Sequence, residues 1–86
     1  MTLQLLRRRI DRIDAQLLRL LNRRARVGMQ VGRLKKQYGR RLFDPARERA
    51  ILRQLTAQNG GPLSPSAVRA IYREILRQTR RVEQSV

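Results

Sequence analysis

The sequence predicts an all-α protein: three helices per chain in one domain, residues 1–86, and a homodimer of entwined chains. Two observations support this prediction. Apolar residues recur every three or four positions from Leu3 to Tyr38, with no proline before position 45. Two signals for a helix start then follow, each a capping residue joined to a proline. No segment alternates apolar and polar residues as a half-buried strand would.

The first predicted helix is long, about 36 residues, which at ~1.5 Å per residue gives about 54 Å. A globule of this chain length is only about 31 Å across. The rest of the chain therefore cannot cover the helix, and a second chain is expected to pack along its apolar seam. The seam consists of Leu3, Leu6, Ile10, Ile13, Leu17, Leu20, Val27, Val31, Leu34 and Tyr38.

Arg24 interrupts this seam, and a desolvated cation there needs an anion. The chain has only six acidic residues, so a bound anionic ligand is a candidate. Arg7 and Lys35 lie on the line that flanks the seam. Gly28 and Gly32 lie one turn apart, each at a cost of about 1 kcal/mol relative to alanine. Close helix packing explains them, or alternatively room for a ligand beside the seam.

The second helix is predicted to begin at Asp44-Pro45, an N-cap followed by a proline at the first helical position. Arg47 and Glu48 lie one turn before the apolar stripe of residues 51–55, so they border the buried face. For Glu48, a favourable charge near a helix N-terminus or a surface ion pair stays an open alternative to a binding role.

Ser64-Pro65 repeats the signal and is predicted to begin the third helix. Its apolar stripe of residues 68–76 continues into Thr79 and Glu83. Burial there would raise the pKa of the Glu83 carboxyl and favour its neutral, hydrogen-donating form. Fraying of the C-terminal turn is the alternative for these two residues.

Composition excludes several kinds of chemistry. With no cysteine and no histidine, catalysis by a Cys/His pair, a Ser/His/Asp triad or zinc is excluded. We therefore predict no metal site built on thiolate or imidazole ligands. The chain has no apolar run of membrane-spanning length, and its N-terminus is unlike a signal peptide, so we expect a soluble, cytoplasmic protein without a membrane partner.

The net charge of +15 is compatible with nucleic acid, an anionic membrane or a small anionic substrate. Only two of the 21 basic residues are lysines, and most of the arginines are interpreted as a solvated face. The aromatic residues are Tyr38, Phe43 and Tyr72, too few for a platform that stacks bases. We expect no specific nucleic-acid partner, and a non-catalytic basic helical module that binds nucleic acid is kept as an alternative.

Charged residues at particular spacings give the chain a resemblance to the all-helical chorismate mutases over nearly its whole length. The matching segments are Leu6-Arg7-x-x-Ile10-Asp11-x-Ile13-Asp14 with Arg24 further on, Val31-Gly32-x-x-Lys35, and Asp44-Pro45-x-Arg47-Glu48.

That resemblance implies the rearrangement of chorismate to prephenate, the step toward phenylalanine and tyrosine, without a cofactor. It implies that Arg24, with Arg7 of the partner chain, clamps the two substrate carboxylates. Lys35 and Glu83 would stabilise the ether oxygen as the catalytic donors.

The resemblance further implies that Glu48 and the backbone N–H of Asp44 bind the ring hydroxyl. Arg47 and Thr79 would complete the end of the pocket that binds the ring carboxylate. Thr79 and Glu83 stand where relatives often have serine and glutamine. An isochorismate pyruvate lyase on the same scaffold remains the alternative enzyme.

Overall fold

The computed structural model describes all 86 residues as three α-helices with their connections: α1 at Leu3–Gln37, α2 at Pro45–Gln58 and α3 at Pro65–Gln84. It contains no strand. The predicted all-helical architecture of one long, one short and one medium helix is confirmed. None of the three helices combines the length and the hydropathy that crossing a membrane requires.

Helix α1 spans 35 residues and dominates the shape of the molecule, which measures 55 × 24 × 15 Å. Its N-terminus is capped by Thr2, whose Oγ1 accepts a hydrogen bond from the Leu5 backbone N–H at 3.1 Å. It ends before Gly39, whose φ of +66° is strained for any residue with a side chain. The expected length of about 54 Å agrees with the longest dimension.

The two later helices begin where the capping signals predicted. The Asp44 side chain accepts from the Arg47 N–H at 3.0 Å, and the Ser64 hydroxyl accepts from the Ala67 N–H at 3.1 Å. A proline occupies the first position of each helix, where its missing N–H leaves no bond unmade. The Asp44 cap orients the first turn of α2, which contributes to the site described below.

Helix α3 packs between the other two helices, against α2 and against the C-terminal half of α1. Gly28 and Gly32 are both buried at the contact with α3. A Cβ on Gly28 would lie 2.9 Å from the Thr79 methyl carbon, and one on Gly32 would lie 2.7 Å from the Glu83 carbonyl oxygen. The two glycines thus permit a close approach of α1 and α3, as the packing interpretation predicted.

The apolar seam of α1 remains uncovered within the chain. Its members range from 38% exposed at Val31 to 71% at Tyr38. Residues 1–23 are exposed throughout, and the only buried apolar side chains of the protein are Val68 and Leu76. A single chain therefore leaves most of its apolar surface in water, and the homodimer stays a prediction.

Candidate functional site

A cavity of about 280 Å³ lies where the C-terminal half of α1, the start of α2 and the end of α3 meet. Its size is near the lower end of ligand cavities, roughly 300–1,000 Å³. Four cations line it: Arg24, Lys35, Arg47 and Arg80. Three carboxyl groups and one hydroxyl accompany them: Asp44, Glu48, Glu83 and Thr79.

One face of α1 supplies the first wall of the cavity. Residues 24, 28, 32 and 35 fall on one side of the helix, and all are at least partly buried. Arg24 Nη1 donates to Thr79 Oγ1 at 2.8 Å, and that hydroxyl donates to the Ile75 carbonyl at 2.8 Å. Arg24 makes no ion pair within the chain. Its guanidinium is thus oriented by a neutral partner, which leaves its charge available to an anion.

Lys35 contributes a second cation in the last turn of α1. Its Nζ donates to the Leu42 carbonyl at 3.0 Å, in the connection between α1 and α2. This bond uses one of the three donors of an ammonium group, so two remain. The bond also ties the connection to α1 beside the cavity.

The first turn of α2 brings acidic and basic groups together. Asp44 uses its side chain to cap the helix, while Arg47 is exposed at the cavity edge. Glu48 lies within 3.5 Å of Arg80 Nη1, and both side chains are about three-quarters buried. The guanidinium of Arg80 lies 4.2 Å from the centre of the Phe43 ring, within the range of a cation–π contact.

Glu83 closes the cavity from the last turn of α3. Burial raises the pKa of its carboxyl, against the lowering influence of Lys35, Arg24 and Arg80, while the nearby Glu48 raises it further. The expected upward direction of this pKa is confirmed. A carboxyl that retains its proton to higher pH can donate a hydrogen bond into the cavity.

All but one of the predicted site residues line this cavity: Arg24, Lys35, Asp44, Arg47, Glu48, Thr79 and Glu83. Arg7 does not, since it lies on the exposed N-terminal half of α1. The alternative of a frayed end at Glu83 does not fit the structure, because α3 continues to Gln84. Glu48 lines the cavity, and it also lies in the first turn of α2 and pairs with Arg80, so the alternative of a helix-end charge or ion pair stays open for it. The individual roles of these residues remain predictions.

Sequence reasoning missed Arg80 and its partner Phe43. Arg80 lies four residues after Leu76 and three before Glu83, so helical spacing alone places it near the same face. Because arginine is so abundant in this chain, the position of one more arginine does not by itself predict a site residue. Phe43 precedes the N-cap of α2, where no periodicity distinguishes a contact from a loop residue.

The helices and the cavity together define a class of protein: an all-α protein with a cation-lined pocket suited to a small organic anion. The pocket holds hydrogen-bond donors and acceptors, without a nucleophile paired to a base or a cluster of metal ligands. Such an arrangement can bind, orient and stabilise charge.

Residues 6–84 match the family chorismate mutase type II. Over 77 residues the chain is 40% identical to a bifunctional chorismate mutase/prephenate dehydratase of Neisseria gonorrhoeae, covering 90% of this chain and 21% of that protein. It is also 40% identical to the protein of the same description from Aquifex aeolicus, over 83% of this chain and 21% of the relative.

A solved structure of a chorismate mutase (form II) from Thermus thermophilus superimposes with a TM-score of 0.93 at 37% identity. The superposition covers 94% of this chain and 92% of that one. This chain belongs to the chorismate mutase type II family. It spans about a fifth of the length of the two curated relatives named above.

Proposed function

We propose that this chain converts chorismate to prephenate by an intramolecular Claisen rearrangement. The observation that carries the proposal is one cavity lined by the cations Arg24, Lys35 and Arg47 and by Glu83, a carboxyl with a raised pKa. The substrate carries two carboxylates, a ring hydroxyl and an ether oxygen. Each finds a group of matching chemistry in the cavity, and family membership supports the assignment.

A concerted rearrangement forms one carbon–carbon bond while the ether carbon–oxygen bond breaks, and it requires no nucleophile. The protein must hold the substrate in a compact, chair-like shape and stabilise the negative charge that develops on the ether oxygen. The side chains of the cavity have the chemistry that both tasks need, because cations orient carboxylates and hydrogen-bond donors stabilise the oxygen.

Arg24 is assigned to a substrate carboxylate, for which a planar guanidinium gives a bidentate contact. Its hydrogen bond to Thr79 supports this role by fixing the orientation of the guanidinium before substrate arrives. Arg47 is assigned to the ring-carboxylate end. The N-cap turn at Asp44 and the carboxylate of Glu48 are assigned to the ring hydroxyl.

Lys35 and Glu83 are assigned to the ether oxygen from opposite sides, as catalytic residues. Lys35 has two donors left after its bond to the Leu42 carbonyl. Glu83 donates only when protonated, and its raised pKa favours that form. An acceleration of about 10⁶ requires roughly 8 kcal/mol. Two or three such donors, at about 3 kcal/mol each, account for it.

The active form is proposed to be a homodimer in which the two α1 seams pack together. Exposure of the whole seam supports this, since neither α2 nor α3 covers it. Arg7 of the partner chain is then assigned to the second carboxylate. Each of two equivalent sites would contain residues of both chains.

The test is to follow the loss of chorismate by ultraviolet absorbance, with the product identified by chromatography. Wild type, Arg24→Ala and Arg23→Ala are compared side by side. Arg23 is an exposed neighbour outside the cavity, so its substitution removes the same charge from the chain. We expect prephenate from wild type and Arg23→Ala, and a loss of at least about 10²-fold in kcat/KM for Arg24→Ala.

No turnover of chorismate by the wild type would contradict the proposal. Release of pyruvate from isochorismate would then favour the lyase on the same scaffold. Binding of DNA with a sequence preference beyond bulk charge would favour the nucleic-acid module, since strong salt dependence alone is expected of any protein with this charge.

A further inference from the structure

A cluster of three side chains, Phe43, Glu48 and Arg80, joins the α1–α2 connection, the start of α2 and the end of α3. The Arg80 guanidinium lies between its two partners, 4.2 Å from the ring centre of Phe43 and 3.5 Å from Glu48 Oε2. We propose that Arg80 is a positioning residue that holds Glu48 at the edge of the cavity, away from the cations that bind the substrate carboxylates. This inference rests on the proposed mutase function.

The need for such a residue follows from the charges in the cavity. Glu48 shares the space with Arg24, Lys35 and Arg47, none of which forms an ion pair within the chain. A carboxylate free to turn toward them would pair with one of these cations and occupy the place of a substrate carboxylate. Pairing with Arg80 satisfies Glu48 at the cavity edge and leaves the other three cations open.

Phe43 makes this arrangement rigid. A guanidinium that rests on an aromatic face loses less freedom when it pairs than one on a mobile stem. Phe43 immediately precedes Asp44, the N-cap of α2, which is the helix that carries Glu48. Both partners of Arg80 therefore lie at the start of α2.

Arg80 also affects the second carboxyl of the cavity. Glu83 is faced by Lys35 and Arg24 from α1, by Glu48 from α2 and by Arg80 from its own helix. Loss of Arg80 removes one of the cations that lower the Glu83 pKa, so this pKa rises further. Because the protonated form of Glu83 is the proposed donor, the fall in activity with rising pH should move to higher pH.

The experiment compares the steady-state kinetics of wild type, Arg80→Ala, Arg80→Lys, Phe43→Leu and Arg81→Ala across a range of pH. Arg81 is exposed, lies outside the cavity and is the next residue of α3 after Arg80, so its substitution removes the same charge near the same end of the helix. Thermal unfolding of each variant, at one fixed protein concentration, identifies any general loss of stability.

For Arg80→Ala we expect KM to rise by about tenfold, as for loss of one charged hydrogen-bonding partner, with kcat little changed. Arg80→Lys keeps the charge without the planar stack and should recover part of the loss. Phe43→Leu should show a smaller rise in KM than Arg80→Ala. In Arg80→Ala the fall in activity with rising pH should move to higher pH. In Arg81→Ala it should stay at the same pH as in the wild type.

Equal KM values and equal pH profiles for Arg80→Ala and Arg81→Ala, in a wild type that makes prephenate, would overturn this inference and leave the proposed function standing. A fall in unfolding temperature without a change in KM or in the pH limb would also overturn it, because Arg80 would then be structural only. A wild type without turnover overturns the proposed function and this inference with it.

Discussion

The two halves of α1 carry the same seam but have different neighbours. Residues 1–23 are exposed throughout, whereas residues 24–35 present a second face that packs on α3 and lines the cavity. The difference lies in Gly28 and Gly32, which let the backbone of α3 approach. The N-terminal half has no glycine. One helix thus presents two surfaces, one that builds the site and one that stays exposed within the chain.

The largest loss of stability is expected from a helix-breaking substitution near the point where the two halves of α1 are joined. Leu20→Pro removes a backbone hydrogen bond and introduces a clash, at a cost of about 3 kcal/mol or more in the free energy of unfolding. We expect loss of the long helix and of the folded protein, measured by circular dichroism and size-exclusion chromatography. Leu20→Ala is the control, since it removes the side chain but keeps a good helix former. A folded, fully helical Leu20→Pro protein would contradict the description of α1 as one continuous helix.

A charge on the exposed half of α1 should separate the two chains of the proposed dimer and leave the contacts within each chain intact. Ile13→Asp places a carboxylate in the middle of the proposed interface, where burial without a partner is costly. We expect a monomer by analytical ultracentrifugation, together with loss of activity, because Arg7 no longer reaches the partner's cavity. Ala15→Asp adds the same charge on the side of α1 opposite the seam and should stay dimeric. If the Ile13→Asp protein remained a dimer, the interface would have to lie elsewhere on the chain.

On the packed half, a single methyl group should be enough to perturb the fold. Gly32→Ala puts a Cβ within 2.7 Å of the Glu83 backbone oxygen, so α1 and α3 must separate. Overpacking of this kind costs about 1–3 kcal/mol, partly offset by about 1 kcal/mol of helix propensity. We expect a lower unfolding temperature and reduced activity.

Gly60→Ala is the matched control for this change, because no atom lies within 4 Å of its added Cβ. Gly28→Ala should cost less than Gly32→Ala, since its nearest contact is a side-chain methyl group of Thr79. A Gly32→Ala protein as stable as wild type would contradict the close approach of the two helices.

The smallest effect on activity is expected from a change in pH. Burial raises the Glu83 pKa above its ordinary value of 4.5, and the protonated form is the proposed donor. Activity should therefore fall as pH rises through this raised pKa, and Glu83→Gln, which donates at every pH, should flatten the profile. A flat wild-type profile between about pH 5 and 8 would remove this role from Glu83.

The free energy of unfolding should also fall as pH rises through the raised pKa of Glu83. The neutral Glu83 carboxyl contributes stability that is fully present below its ordinary pKa and is lost as pH rises through the folded value. Glu83→Gln should remove this dependence, which can be measured by denaturant unfolding at several pH values.

The helices were predictable from the sequence because their signals are local. The 3-4 spacing of α1, Asp44-Pro45 and Ser64-Pro65 each specify a helix without reference to the rest of the chain. Much of the cavity lining was also predictable, because charged residues that continue an apolar stripe lie on its buried side. Gly28 and Gly32 were predicted to mark close packing, and they do.

What could not be predicted depends on how separate segments meet. The contact of Arg80 with Phe43 and Glu48 requires the end of α3 to lie beside the α1–α2 connection, which no periodicity within one helix specifies.

In the proposed dimer each site takes Arg24 from one chain and Arg7 from the other. The most direct measurement mixes Arg7→Ala and Arg24→Ala chains, two variants expected to be dimeric and nearly inactive, and refolds them together. A mixed dimer then has one site with both arginines intact and one site with neither.

With random pairing, half of the dimers are mixed, and about a quarter of the wild-type activity should return. Mixing Arg24→Ala with the double variant Arg7→Ala/Arg24→Ala is the control, and it should restore nothing. Recovery of about a quarter of the activity is the predicted result. No recovery from dimers shown to have exchanged chains would contradict a site shared between two chains.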